Sequence, residues 1–207
     1  MRLGSRSFAA NGRIPEEFAA GIRGEPGPVP GPNQSPHLAW SDFPSGTKSF
    51  ALICHDRDVP STADDVNKPD RTVPYDLPRV DFYHWVLVDM PVSVHSLEEG
   101  VDSEAFVPKG KPLGPTKHGR RGKNSFSDWF ADDPAMSGEY GGWDGPWPPA
   151  NDERLHRYTF TIYALDVAAL DLPESFGGTD ALNAIKGHVL DSASWTGTYA
   201  LNREARP

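Results

Sequence analysis

Proline interrupts this chain from end to end, and that constrains its fold more than any other feature. The sequence holds 21 Pro and 20 Gly in 207 residues, about a fifth of the chain against roughly 12 % in average proteins. Proline inside a helix removes a hydrogen bond and clashes with the preceding turn, so prolines at this density leave room for few helices beyond three turns. The combined share stays below the roughly 25–30 % at which low-complexity disorder sets in. A mainly β, loop-rich globule is predicted, and a helical bundle is excluded.

About 200 residues suit one large β domain, so residues 1–207 are read as a single domain with residues 1–36 as an extended, irregular lead-in. Net charge is −9, which argues against nucleic acid as a partner because phosphate binding needs a basic face. Residues 107–123 run against this trend, with Lys109, Lys111, Lys117, Arg120, Arg121 and Lys123 and no acid. That run reads as a solvated loop or as an anion- or membrane-facing rim. The single cysteine, Cys54, lies in the apolar run Phe50–Cys54 and is expected to be a buried, inert thiol. No apolar stretch approaches the roughly 18 residues of a membrane span, and the first residues lack a secretory h-region; a cytoplasmic location is expected.

Apolar runs predict the strands. Lys48–Cys54 and Phe82–Met90 read as buried strands, the first followed by a polar excursion over Asp56–Leu77. Arg157–Asp166 is expected to be a central strand covered on both faces. After Gly177-Gly178, Thr179 or Asp180 is expected to cap a helix reaching about Ser192, with Leu182, Ile185, Val189 and Leu190 on one face. Trp195–Leu201 is expected to close the sheet. Residues 102–150 hold few apolar runs, and a loop region of that length usually serves a site.

No phosphate-binding glycine loop, nucleophile elbow, paired-cysteine zinc spacing or His-Glu-x-x-His motif is present. The polar residues placed on or beside the predicted strands are more informative. Asp56 and Asp58 follow the first strand, His84 interrupts the second, His156 precedes the third and Tyr158 lies within it. Two imidazoles, a carboxylate and a phenol can donate several hydrogen bonds to an anion, hold a metal, or perform acid–base work. Tyr140–Pro149 is rich in Gly, Pro and aromatics and leads toward His156, as a loop that approaches a ligand closely would.

These blocks, in order, resemble the phosphatidylethanolamine-binding proteins, also called Raf kinase inhibitor-like proteins, most closely their bacterial branch. Gly12-Arg13-Ile14-Pro15 is similar to the family's opening segment. His55-Asp56-Arg57-Asp58-Val59-Pro60 is similar to its first signature, and Phe82-Tyr83-His84-Trp85 to its Trp-His-Trp strand. Gly145-Pro146-Trp147-Pro148-Pro149 with His156-Arg157-Tyr158 is similar to its second signature. The resemblance implies two antiparallel sheets with a few short helices, one near the C-terminus. It also implies a small anion pocket formed by Asp56, His84, Pro148, His156 and Tyr158, with Asp58 and Pro60 shaping its wall.

The partners the resemblance implies are phosphate-like anions or phospholipid head groups, a kinase or protease under regulation, and a second copy in a homodimer; a small metabolite is the other candidate ligand, and at most a peripheral membrane contact is expected. No metal or other cofactor is implied. In the pocket so read, His84 and His156 supply N–H donors, and Asp56 holds one imidazole cationic. An enzyme using the same groups for acid–base chemistry is the alternative. Arg57 stands where the family usually has proline, and Trp147 where bacterial members often have cysteine. The stretches 61–79 and 125–139 are longer than in the minimal bacterial form, as a roof over the pocket would require.

Overall fold

In the computed structural model, which describes residues 1–207, short elements occupy the N-terminal third. They are β1 (Arg2–Gly4), a 3-10 turn at Glu16–Phe18, β2 (Gly21–Ile22), β3 (Val29–Pro30) and β4 (Leu38–Ser41). The long strands β5 (Ser49–Pro60) and β6 (Arg79–Pro91) follow, and then β7 (Ser96–Leu97), β8 (Gly114–Pro115), β9 (Arg120–Arg121) and the single-turn α1 (Phe126–Trp129). The chain closes with β10 (His156–Leu165), α2 (Gly178–Ala184) and β11 (Val189–Tyr199). All pairings between strands are antiparallel. A six-stranded sheet runs in the order β11-β10-β5-β6-β9-β8, a three-stranded one runs β1-β4-β7, and β2 and β3 form a two-residue ribbon. The mainly β expectation with few, short helices is borne out; the ribbon is one element more than the two expected sheets.

Each face of the large sheet buries a separate core, because side chains alternate along a strand. Phe50, Leu52 and Cys54 of β5 join Trp85, Phe160 and Ile162 in the larger core, together with Leu38, Trp40 and Leu97 of the three-stranded sheet. Ala51 and Ile53 point the other way, to Val86, Val88, Phe176 and, from α2 and its C-terminal end, Ala181 and Ile185. Cys54 is fully buried, and burial pushes its thiol well above the usual range, as an inert thiol requires.

Three expectations about elements are corrected. The first strand does not stop at Cys54 but runs on to Pro60, so Asp56 and Asp58 lie within it. A one-residue bulge lets it continue: Asp56 pairs with Phe82 and Val59 with Val80. Strand β10 is covered on both faces only at its C-terminal end, where Tyr163 and Leu165 join the second core; nearer its start, Tyr158, Phe160 and Ile162 are buried while Thr159 and Thr161 are half-exposed and hydrogen-bond Thr196 and Ser194. The helix is the largest discrepancy. It ends at Ala184, and Gly187 at φ +85° turns the chain so that Val189 and Leu190 open β11, each about two-fifths exposed. The apolar spacing of Val189 and Leu190 fits helix and strand equally, and glycine's freedom at positive φ decided between them. Gly177, not Thr179 or Asp180, is the cap residue, and Asp180 accepts its backbone N–H at 2.9 Å.

Candidate functional site

A cavity of about 360 Å³ opens at one end of β5, β6 and β10. Its floor is assembled from neighbouring strands. Tyr158 of β10 pairs directly with Asp56 of β5, which pairs on its other side with Phe82 of β6. His84 reaches the same side through a second bulge. Cys54 pairs with Trp85 and His55 with Tyr83, so His84 is the extra residue on β6. The bulge turns His84 and Trp85 toward the same side of the sheet, where regular alternation would have sent one of them to the opposite core.

The two histidines occupy opposite electrostatic settings. His156 is held between two carboxylates, with Nδ1 at 2.7 Å from Asp56 Oδ2 and Nε2 at 3.1 Å from Asp152 Oδ2. Arg79 completes the chain, donating from Nη1 to Asp152 Oδ2 at 2.6 Å and from Nη2 to Oδ1 at 3.0 Å. Burial alone would lower the His156 pKa, but the Asp56 charge and the hydrogen bonds to both carboxylates push it up to about 9. His156 is therefore an imidazolium at neutral pH, with both N–H groups already spent on protein acceptors.

His84 is equally buried and lacks such partners. Its Nδ1–H donates to the Asp144 carbonyl at 2.7 Å, which leaves the lone pair on Nε2. No side chain or backbone group hydrogen-bonds that Nε2, and the nearest carboxylate oxygen, Asp56 Oδ2, is 4.0 Å away. Burial lowers the His84 pKa to about 4, despite the opposing pull of Asp56. A neutral imidazole with a free lone pair thus faces the cavity beside a carboxylate. Tyr158 packs edge-on against it, with ring centroids 5.0 Å apart, and burial raises the phenol pKa well above its usual value.

Above this floor the cavity is aromatic. Phe82, Phe126, Trp129, Phe130 and Trp147 line it, and the 61–79 stretch adds Val66 and Asn67. Both long stretches noted in the sequence therefore contribute walls. Asn67 and Asn151 stitch the first of them to the proline loop: Asn67 N–H donates to Asn151 Oδ1 at 2.9 Å, and Ala150 N–H to Asn67 Oδ1 at 2.7 Å. Trp147 lies flat over the backbone of Gly21, where an added Cβ would fall 2.2 Å from the indole. No Lys or Arg lines the cavity.

Of the sequence-predicted site residues, Asp56, Pro60, His84, Pro148, His156 and Tyr158 all border this space. Asp58 does not. Its carboxylate accepts from Arg157 Nε at 3.0 Å, from Arg157 Nη2 at 2.9 Å and from the Arg157 backbone N–H at 3.1 Å. It turns away because the bulge shifts the alternation after Asp56, yet its own N–H donates to Asp56 Oδ1 at 2.7 Å and so helps orient that carboxylate.

The expectation that both imidazoles offer free N–H donors is also revised, since the two carboxylates occupy those of His156. Arg79, Asp144 and Asp152 were missed. Asp152 sits four residues before His156, a spacing that signals nothing in a loop, and Arg79 is only the first residue of a strand. The basic run 107–123 is turned inward in part. Lys111 pairs with the buried Asp144, Arg121 Nε donates to Asp102 at 2.7 Å, and Arg120 donates to Asp89 at 3.0 Å while lying over Phe176. A rim reading of those three cations therefore does not hold.

Strands that bring a carboxylate, two imidazoles and a phenol to one end of a β-sheet beneath a proline-rich loop define a ligand-binding β-fold. The family model described as phosphatidylethanolamine-binding protein matches residues 4–200, and the chain belongs to that family. A UPF0098 protein of Methanothermobacter thermautotrophicus is 32 % identical over 96 % of this chain and 98 % of its own length. The UPF0098 protein YbhB of Escherichia coli is 31 % identical over 82 % and 84 %. The crystal structure of a putative phosphatidylethanolamine-binding protein homologue from Chlamydia trachomatis superposes with a TM-score of 0.63 at 26 % identity, covering 96 % of this chain and 95 % of that one. No helix is long and apolar enough to cross a membrane.

Proposed function

We propose that this chain is a binding protein whose cavity takes a small ligand bearing a phosphoryl-type acidic group that enters together with one proton. The observation that supports this reading is the buried Nε2 of His84, free of any protein partner and facing the cavity. A neutral imidazole beside a carboxylate is a poor seat for a fully ionised phosphate, and no Lys or Arg offsets the repulsion. A phosphate that retains one proton suits the same floor. Its P–OH donates to Nε2, and its other oxygens accept from the Tyr158 hydroxyl. His156 and Asp152 serve to fix the Asp56 carboxylate in place.

Calorimetric titration of inorganic phosphate and phosphoethanolamine, in buffers of different ionisation enthalpy, tests the proposal. Below about pH 6 the ligand carries its own proton. Above that, one proton is taken up per ligand bound, and affinity falls about tenfold per pH unit. His84→Ala is expected to weaken phosphoryl binding at least tenfold. Unchanged affinity in that variant sinks the proposal.

One feature favours a second reading. An imidazole held neutral by burial, with its lone pair facing an enclosed space, is also what a general base requires. Mass spectrometry of a bound ligand before and after incubation separates the two, since a binding protein returns its ligand unchanged.

A further inference from the structure

We infer that the apolar part of the ligand is an aromatic ring, so that the cavity takes an aryl-bearing acid such as an aryl phosphate in preference to an alkyl chain or a bare head group. The inference rests on the acidic-group reading above for the floor and on independent observations for the wall. The wall rings already stand edge to face: Phe82 meets Phe126 at 5.1 Å and 82°, and Trp129 at 6.5 Å and 70°. Behind them Phe106 meets Trp147 at 5.2 Å and 81°. Aromatic pairs prefer such arrangements, and an inserted ring continues the array with faces and edges both satisfied.

Size is compatible with this. A space of about 360 Å³ holds about a dozen waters, room for one or two rings with a tetrahedral group and more than a bare head group fills. An aryl group also has fewer rotatable bonds than an alkyl chain of similar size, which lowers the cost of confinement. Met136 and Trp129 stand at the wall as adjustable elements, the first through its flexible thioether and the second through an indole that is 44 % exposed. Trp147 is the fixed element, because Gly21 lets its ring lie against the backbone.

Titration of the full chain with phenyl phosphate, n-butyl phosphate, phosphoethanolamine, inorganic phosphate and phenol at one pH is the test. Phenyl phosphate is expected to bind about tenfold tighter than butyl phosphate, as two new aromatic pairs would provide, and tighter still than inorganic phosphate. Trp147→Ala is expected to erase the aryl-over-alkyl preference. Equal or tighter binding of butyl phosphate or phosphoethanolamine overturns the inference and leaves the phosphoryl floor intact. Failure of both phenyl compounds to bind also overturns it. If phenol binds as tightly as phenyl phosphate, the aromatic subsite stands and the acidic-group reading falls.

Discussion

His84 and His156 lie a few ångströms apart on either side of Asp56, yet the protein uses them in opposite ways. His156 is enclosed by Asp56 and Asp152, with Arg79 behind, so its charge is internally compensated and its donors are consumed. His84 has one backbone partner and is otherwise surrounded by aromatic rings and Asp56 at a distance. Burial acts on both, and only the number of carboxylates in contact differs. Two contacts hold the proton on one imidazole, while their absence strips it from the other. One histidine is part of the scaffold, and the other faces the cavity.

The comparison breaks most severely at the shared carboxylate. Asp56→Asn removes one of the two negative charges that hold a buried imidazolium and is expected to cost about 3–5 kcal/mol, the usual penalty for stranding a buried charge; urea denaturation measures it. The same logic sharpens the account of the basic run. Arg121→Glu places a negative charge beside the buried Asp102 and is expected to destabilise by about 3 kcal/mol. If the variant is as stable as the parent, the inward pairing of Arg121 carries little of the fold.

The pH dependence of unfolding tests both histidines at once. For His156 the folded pKa, about 9, lies above the unfolded value near 6.5, so its stabilisation is complete below about pH 6.5 and is lost as pH rises toward 9. For His84 the folded pKa, about 4, lies below the unfolded value, so stability falls as pH drops from about 6.5 toward 4. Within each window one proton is exchanged on unfolding, a slope of about 1.4 kcal/mol per pH unit. Thermal melts should therefore peak near pH 6.5, and His156→Gln should flatten the alkaline limb, with a smaller change in the acid limb because the His156 charge also lowers the His84 pKa.

The smallest stability effect is expected at His84. His84→Phe removes a buried unpaired nitrogen but strands the buried Asp144 carbonyl, so stability should fall by about 1–2 kcal/mol while phosphoryl binding is lost. A large destabilisation would show that His84 is scaffold after all.

Much of this was legible in the chain. The proline density excluded long helices, the apolar runs marked β5, β6 and β10, and the ordered blocks around Asp56, His84, Pro148 and His156 converge on one cavity. What stayed hidden depended on register. Two bulges decide that His84 faces the cavity and that Asp58 does not, and an extra residue in a strand leaves no compositional mark. The second carboxylate on His156 comes from a loop folded back over Arg79, a contact across 73 residues between Arg79 and Asp152 that local pattern cannot express. The helix that ended early turned on Gly187, whose positive φ outweighed a periodicity shared by helix and strand.

The bulge at His84 has a consequence for how this site can change. Its aim into the cavity is set by backbone pairing on either side, Cys54 with Trp85 and His55 with Tyr83, and not by the imidazole itself. Position 84 is in that sense a socket. A cysteine, glutamate or glutamine placed there would inherit the same outlook onto the same aromatic chamber. The chemistry of the floor can be exchanged by one substitution while the frame that presents it is retained.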